Sequence, residues 1–144
     1  MRVVVDTNIL VSAILVKSGH PATIYRIWRA RGFHLLTCEQ QTTELRSTLH
    51  KPALAARIKP HLAGRLINDI REQGENIHPL TRVRRSPDPT DDFLLALCEA
   101  GKADYLVTGD KSGLLLLVSH KGCEIISAGG FAALFEKASR AGGQ

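Results

Sequence analysis

Nothing in this 144-residue sequence is apolar for long enough to cross a bilayer. Runs such as Leu114 to Val118 fall far short of the ~20 residues that a spanning helix needs. A secretory apolar core is missing as well, because Met1 leads into Arg2-Val3-Val4-Val5 and Asp6 interrupts the stretch. Cysteine is scarce and odd in number (Cys38, Cys98, Cys123), which argues against a disulfide framework. Cys98 lies in an apolar helical run and reads as a small core residue. These absences predict a reducing, cytoplasmic protein with no membrane association. Metal and nucleotide signatures are lacking too. The six histidines (His20, His34, His50, His61, His78, His120) show no HExxH pattern or paired ligand spacing, so zinc is not expected. Neither GxxxxGK[ST] nor GxGxxG occurs, and no GxSxG elbow surrounds Ser12, Ser18 or Ser119, which argues against an α/β-hydrolase. Repeats and low-complexity stretches are also absent.

What is present is an ordinary apolar content of 44%, a net charge of +5 and a pI of about 9.4. The length suits one domain with a real core, expected over residues 1–138, followed by a small polar tail over 139–144 that is expected to be flexible. The basic balance favours polyanions, RNA or DNA, through phosphate neutralisation.

Apolar patterning predicts strands at Arg2–Asp6, Phe33–Cys38, Asn76–Leu80, Asp104–Thr108 and Cys123–Ser127. It predicts helices at Asn8–Val16, Pro21–Ala30, Gln40–His50, Pro60–Gln73, Asp91–Ala100 (ended by Gly101) and Phe131–Ala138, with a helical turn over Asp110–Leu117. Thr81–Thr90, with Pro87 and Pro89 among arginines, reads as a loop. Strands alternating with helices predict an α/β fold, a parallel sheet of about five strands covered on both faces. Ligands bind such sheets in the crevice at the carboxyl ends of the strands.

Asp6 ends the first strand, and uncompensated burial of a carboxylate there would cost several kcal/mol, so a purpose for it is worth seeking. Thr7 and Asn8 follow as short polar residues able to hold it. Val107-Thr108-Gly109-Asp110 repeats the device at a second strand end, with Gly109 permitting a tight turn. Each acid has an ordinary reading as a cap. Asp91 and Asp92 open a helix apolar on nearly every side; the helix dipole explains them, and burial of that helix would draw them toward the crevice. Asp88, between prolines, reads as solvated. Glu44, in Thr43-Glu44-Leu45, would by itself be only a good helix former. Several oxygen donors at one sheet edge suit Mg²⁺ or Mn²⁺ and phosphodiester hydrolysis.

Val3-Val4-Val5-Asp6-Thr7-Asn8-Ile9-Leu10, Thr43-Glu44-Leu45, Asp91-Asp92-Phe93-Leu94-Leu95-Ala96 and Ala103-Asp104-Tyr105-Leu106-Val107-Thr108-Gly109-Asp110-Lys111 together resemble the PIN domain. The nearest likeness is to the VapC-like toxin components of toxin–antitoxin pairs, and it extends to the closing strand and the Phe131 helix. The resemblance implies a three-layer α/β/α sandwich and an Mg²⁺- or Mn²⁺-dependent endoribonuclease using one or two ions. It implies an acidic quartet at Asp6, Glu44, Asp91 and Asp110, supported by Thr7, Asn8 and Thr108. Family spacing, an aliphatic residue three after the acid, fits Asp91 with Leu94 and equally Asp92 with Leu95; Asp91 is taken as the member. Relatives often carry an acid where this chain has Ser112, so a one-ion site is an open alternative. An antitoxin protein, an RNA substrate and a homodimer are the implied partners.

Arg82, Arg84 and Arg85 are read either as a solvated loop or as RNA contacts that set affinity rather than base choice. Tyr25 and Trp28 read as packing or interface residues, and Arg26, Arg29 and Arg31 as a solvent-facing helix side or partly an interface for a partner. An aspartyl-phosphate phosphatase would need a second Asp where Asn8 stands. A catalytically weak RNA- or partner-binding module is the remaining alternative.

Overall fold

The first strand, β1 (Arg2–Val5), carries three valines exposed by 1% or less. A β-branched run of this kind suits a strand covered on both faces. Successive side chains leave a strand on opposite sides, and the interior divides accordingly: Val3 and Val5 join one apolar cluster, Val4 the other. The structure is a computed structural model that describes the backbone of residues 1–142 and the side chains of residues 1–137.

After β1 come α1 (Thr7–Leu15), α2 (His20–Arg29), β2 (His34–Thr37), α3 (Glu39–Leu49), the short α4 (Pro52–Ala55), α5 (Pro60–Gln73) and β3 (Glu75–Asn76). A 3-10 turn at Pro89–Asp91 leads into α6 (Asp92–Gly101), then β4 (Tyr105–Val107), a 3-10 turn at Leu114–Leu117, β5 (Ser119–His120), β6 (Cys123–Ile126) and α7 (Ala128–Gly142). The sheet order is β3-β2-β1-β4-β6-β5. All neighbours are parallel except β5, which runs antiparallel to β6.

One face is covered by Leu10 of α1, Trp28 of α2, Leu45 of α3, Leu66 of α5 and Phe131 of α7. Phe131 stacks edge-on against Phe33 at 5.3 Å and Tyr105 at 5.7 Å. The opposite face is covered by α6 through Leu94, Leu97 and Cys98, with Leu114 beside them. The result is the α/β/α sandwich expected from the alternation, although the sheet has six strands and is mixed, not five and parallel. The extra strand β5 is two residues long and polar, so it carries no apolar alternation to betray it.

Other differences are local. β3 stops at Asn76, short of Leu80; Pro79 has no N–H to extend a ladder. The short α4 was unforeseen and opens on Pro52. Gly101 does not end α6 but belongs to it, and Lys102 takes the left-handed cap at φ 52°. Gly101 is needed for closeness: a Cβ there would lie 2.8 Å from Leu36 Cδ1 of β2. α7 begins at Ala128, three residues ahead of expectation, and continues to Gly142. The tail expected at 139–144 falls outside the described side chains. Among the described residues, no helix is long and apolar enough to cross a membrane.

The chain winds outward from β1 to β2 and β3 on one side and from β4 to β6 on the other. The order therefore reverses between β1 and β4, and a crevice opens at their carboxyl ends.

Candidate active site

Both strands that border this crevice end in polar residues. Asp6 follows β1 and caps α1, accepting a hydrogen bond on Oδ1 from the Asn8 amide at 3.3 Å. Its backbone N–H still bonds to Val107 O at 2.9 Å, so the carboxylate is fixed at the sheet edge. The side chain is buried, only 7% exposed. Its second oxygen, Oδ2, accepts from Thr108 Oγ1 at 2.8 Å. Thr108 is itself fully buried, and its Oγ1 accepts from the Asp110 amide at 3.2 Å. One hydroxyl thus ties the two strand ends together.

Asp110 is half-buried, with Oδ2 accepting from the Leu114 amide at 3.3 Å and Oδ1 from Ser112 Oγ at 3.5 Å. A Cβ at Gly113 would collide with this carboxylate, so glycine leaves it room. Glu44 reaches the crevice from α3; Thr7 Oγ1 donates to its Oε2 at 3.4 Å. Gln41, one turn earlier and buried, donates from Nε2 to Val5 O at 2.6 Å and accepts from Thr37 Oγ1 at 2.9 Å. It pins α3 to the ends of β1 and β2, so Gln41 positions Glu44 relative to Asp6.

Asp91 and Asp92 differ in use. Asp92 Oδ1 accepts from the Arg85 amide at 3.0 Å and the Ser86 amide at 2.7 Å, so it braces the preceding loop. Among the described residues the Asp91 carboxylate makes no such bond. Its carboxyl is pushed up to about 6, by burial first and then by the charges of Asp6, Asp88, Asp110 and Glu44. The Asp6 carboxyl is likewise raised, by burial above all; the Thr108 and Asn8 hydrogen bonds oppose this, and Asp110 adds to it. Glu44 sits at the rim and is raised by the part that is buried and by Asp6, with Thr7 and Lys51 pulling the other way. Like charges raise one another only when close, so Asp6, Glu44, Asp91 and Asp110 share one electrostatic site.

The donors are oxygen throughout, the set that suits a hard divalent cation and not zinc. Among the described residues, no three His, Cys, Asp or Glu side chains are closed around a common point.

Of the supporting residues, Thr7, Asn8, Thr108 and Ser112 all touch an acid of the quartet. Asp88 is fully exposed; its Oδ1 accepts from Thr90 and holds its carboxyl below the usual range. Arg82, Arg84 and Arg85 are all exposed, and the Arg85 guanidinium is tied to Ser119 O at 2.7 Å and lies 2.9 Å from His120 Nδ1. Gln41, Gly113 and Lys51 were not anticipated. Nothing in a lone Gln or Lys marks it, since their significance comes from contacts far along the chain. A separate cleft of about 480 Å³ lined by Met1, Trp28, Phe33 and Glu72 lies at the opposite end of the strands and holds none of the quartet.

Residues 2–112 match the family model described as PIN domain. No curated protein matches the chain.

Proposed function

Because the chain belongs to the PIN domain family, whose members are generally nucleases, we propose that it is an Mg²⁺- or Mn²⁺-dependent endoribonuclease. The observation that carries this reading is the electrostatic meeting of four carboxylates from four separate segments at the switch point of the sheet. Acids that raise one another cost stability, and a cation-dependent task is the physical reason to keep them together.

In this reading Asp6, Asp91 and Asp110 would hold the ion, and Glu44 would hold a water or the ion. When bound, the ion offsets the carboxylate charge that would repel a phosphodiester and acidifies the attacking water. The remaining work belongs to the chain. Thr108 commits its proton to Asp6 Oδ2 and its lone pair to the Asp110 amide, which sets the spacing of the two acids. Thr7 occupies Glu44 Oε2, leaving Oε1 as the acceptor for a water proton. Burial of Asp6 limits competing solvent.

Purified protein is expected to cleave RNA with Mg²⁺ or Mn²⁺ and to stop with chelator. Asp6→Asn that folds and cleaves at the wild-type rate would overturn the site. The resemblance to VapC-like toxin components extends this reading to the toxin of a toxin–antitoxin pair, restrained by an antitoxin protein, with a homodimer as the acting form. Induced expression should arrest bacterial growth, and Asp6→Asn should not.

The rival reading, a catalytically weak RNA- or partner-binding module, is favoured by Ser112 standing where relatives often carry an acid. Calorimetric titration separates the two, because the module would take up no divalent cation.

A further inference from the structure

β5 is a marginal strand at the edge of the sheet. It has two residues, with Ser119 opposite Glu124 and His120 opposite Cys123 of β6. Non-glycine residues on both flanks take the left-handed region, Val118 at φ 66° and Lys121 at φ 48°. Such conformations are strained, most of all for a β-branched residue, and persist only where contacts hold them. The Ile125 amide holds Val118 O at 2.9 Å. Arg85 adds a second hold, its Nη1 donating to Ser119 O at 2.7 Å.

His120 sits at the centre of these contacts and is only 6% exposed. Its Nδ1 lies 2.9 Å from Arg85 Nη1, and its Nε2 lies 3.0 Å from Glu99 Oε2 of α6. A guanidinium can only donate, so Nδ1 must accept; an ionised carboxylate can only accept, so Nε2 must carry the proton. The two partners thus fix a neutral ring in one tautomer. Loop, β5 and α6 are joined in a single hydrogen-bonded chain that runs from Arg85 through His120 to Glu99. No position in that chain accepts a second ring proton.

The other titratable groups on the elements packed against β5 are Asp92 and Cys98 on α6, and Cys123 and Glu124 on β6, with Lys121 next along the chain. Asp92 is spent on the Arg85 and Ser86 amides, Cys98 and Cys123 are buried thiols, and Lys121 and Glu124 are exposed. Arg85 and Glu99 are therefore the charges that touch the ring. Protonation of Nδ1 would set two donors and two like charges face to face at 2.9 Å. Glu99 gains an ion pair with the imidazolium and stays. The Arg85 side chain is exposed, so its guanidinium has water to move into.

We propose that His120 is a pH-sensitive latch: its neutral ring fastens Arg85, and with it the loop before α6, to β5, and its protonated ring lets them go. Imidazoles exchange their proton between about pH 5 and 8, so the latch closes above that range and opens below it. Once Arg85 is released, the bonds from the Arg85 and Ser86 amides to Asp92 Oδ1, at 3.0 Å and 2.7 Å, are left to brace the loop alone. The latch stands apart from the nuclease reading and is tested without RNA or added cation.

Amide hydrogen exchange of Arg85 and Ser86, followed by NMR on the full chain and divided by the intrinsic rates, gives the readout. Protection of both amides should be about tenfold lower at about pH 5.5 than at about pH 7.5, the loss expected for one hydrogen bond to a charged group. His120→Asn places an amide oxygen where Nδ1 accepts and does not titrate, so its protection should be the same at both pH values. Arg85→Ala should be poorly protected at both. Acids elsewhere in the chain titrate equally in all three proteins, so the difference between them isolates the ring. Nitrogen NMR of the wild-type ring should show the proton on Nε2 at about pH 7.5. Equal wild-type protection at the two pH values overturns the latch. So does a tenfold loss that persists in His120→Asn or in Arg85→Ala, or a ring that carries its proton on Nδ1 at about pH 7.5.

Discussion

Replacing Asp91 by asparagine should stabilise the protein when no cation is present. The Asp91 carboxyl is raised from 3.8 to about 6 by burial and by its acidic neighbours. Two units correspond to about 3 kcal/mol. Asp91 is partly open to water, so screening reduces this to about 1–1.5 kcal/mol. Because the folded value lies above the unfolded one, the carboxyl holds its proton longer in the native state. The penalty is absent below about pH 4, develops as pH rises from about 4 to 6, and is complete above that. Asp91→Asn removes it. For a chain of this size the melting temperature in chelator at pH 7.5 should rise by about 3–6 °C. The gap should close at pH 4 and narrow in 1 M salt. Thermal unfolding followed by circular dichroism measures all three. A variant that melts at or below the wild-type temperature at pH 7.5 would refute the crowding of acids at this site.

Addition of Mn²⁺ at about 100 times its dissociation constant should stabilise the wild type by about 2.7 kcal/mol, seen as a raised melting temperature, and Asp6→Asn should lose most of that rise. Thr108→Val deprives Asp6 Oδ2 and the Asp110 amide of their shared partner; it should destabilise by about 1–3 kcal/mol in urea unfolding and lower the cleavage rate. Asp92→Asn should loosen the arginine loop while leaving more cleavage activity than Asp91→Asn, a ranking that a rate assay on one RNA reads directly. Gly101→Ala must push Leu36 aside and should cost about 1–3 kcal/mol without touching metal affinity.

What the sequence determined by itself was set by local rules. A valine run ending in an acid marked β1, an apolar stretch closed by Thr108-Gly109-Asp110 marked β4, and the alternation with amphipathic helices implied the layered sheet. Asp6 and Asp110 were legible because a carboxylate closing an apolar strand is costly and conspicuous. Glu44 was not: on α3 it looks like any helical glutamate, and only the packing of α3 through Gln41 onto Val5 O brings it to Asp6. Asp91 and Asp92 are interchangeable by spacing, and the fold separated them, giving Asp92 to the loop amides and Asp91 to the crevice. Of the three arginines, Arg85 was tied to Ser119 and His120, residues more than thirty positions away. Such long-range choices depend on which surfaces meet after the chain has condensed. No pattern of neighbours along the chain encodes them.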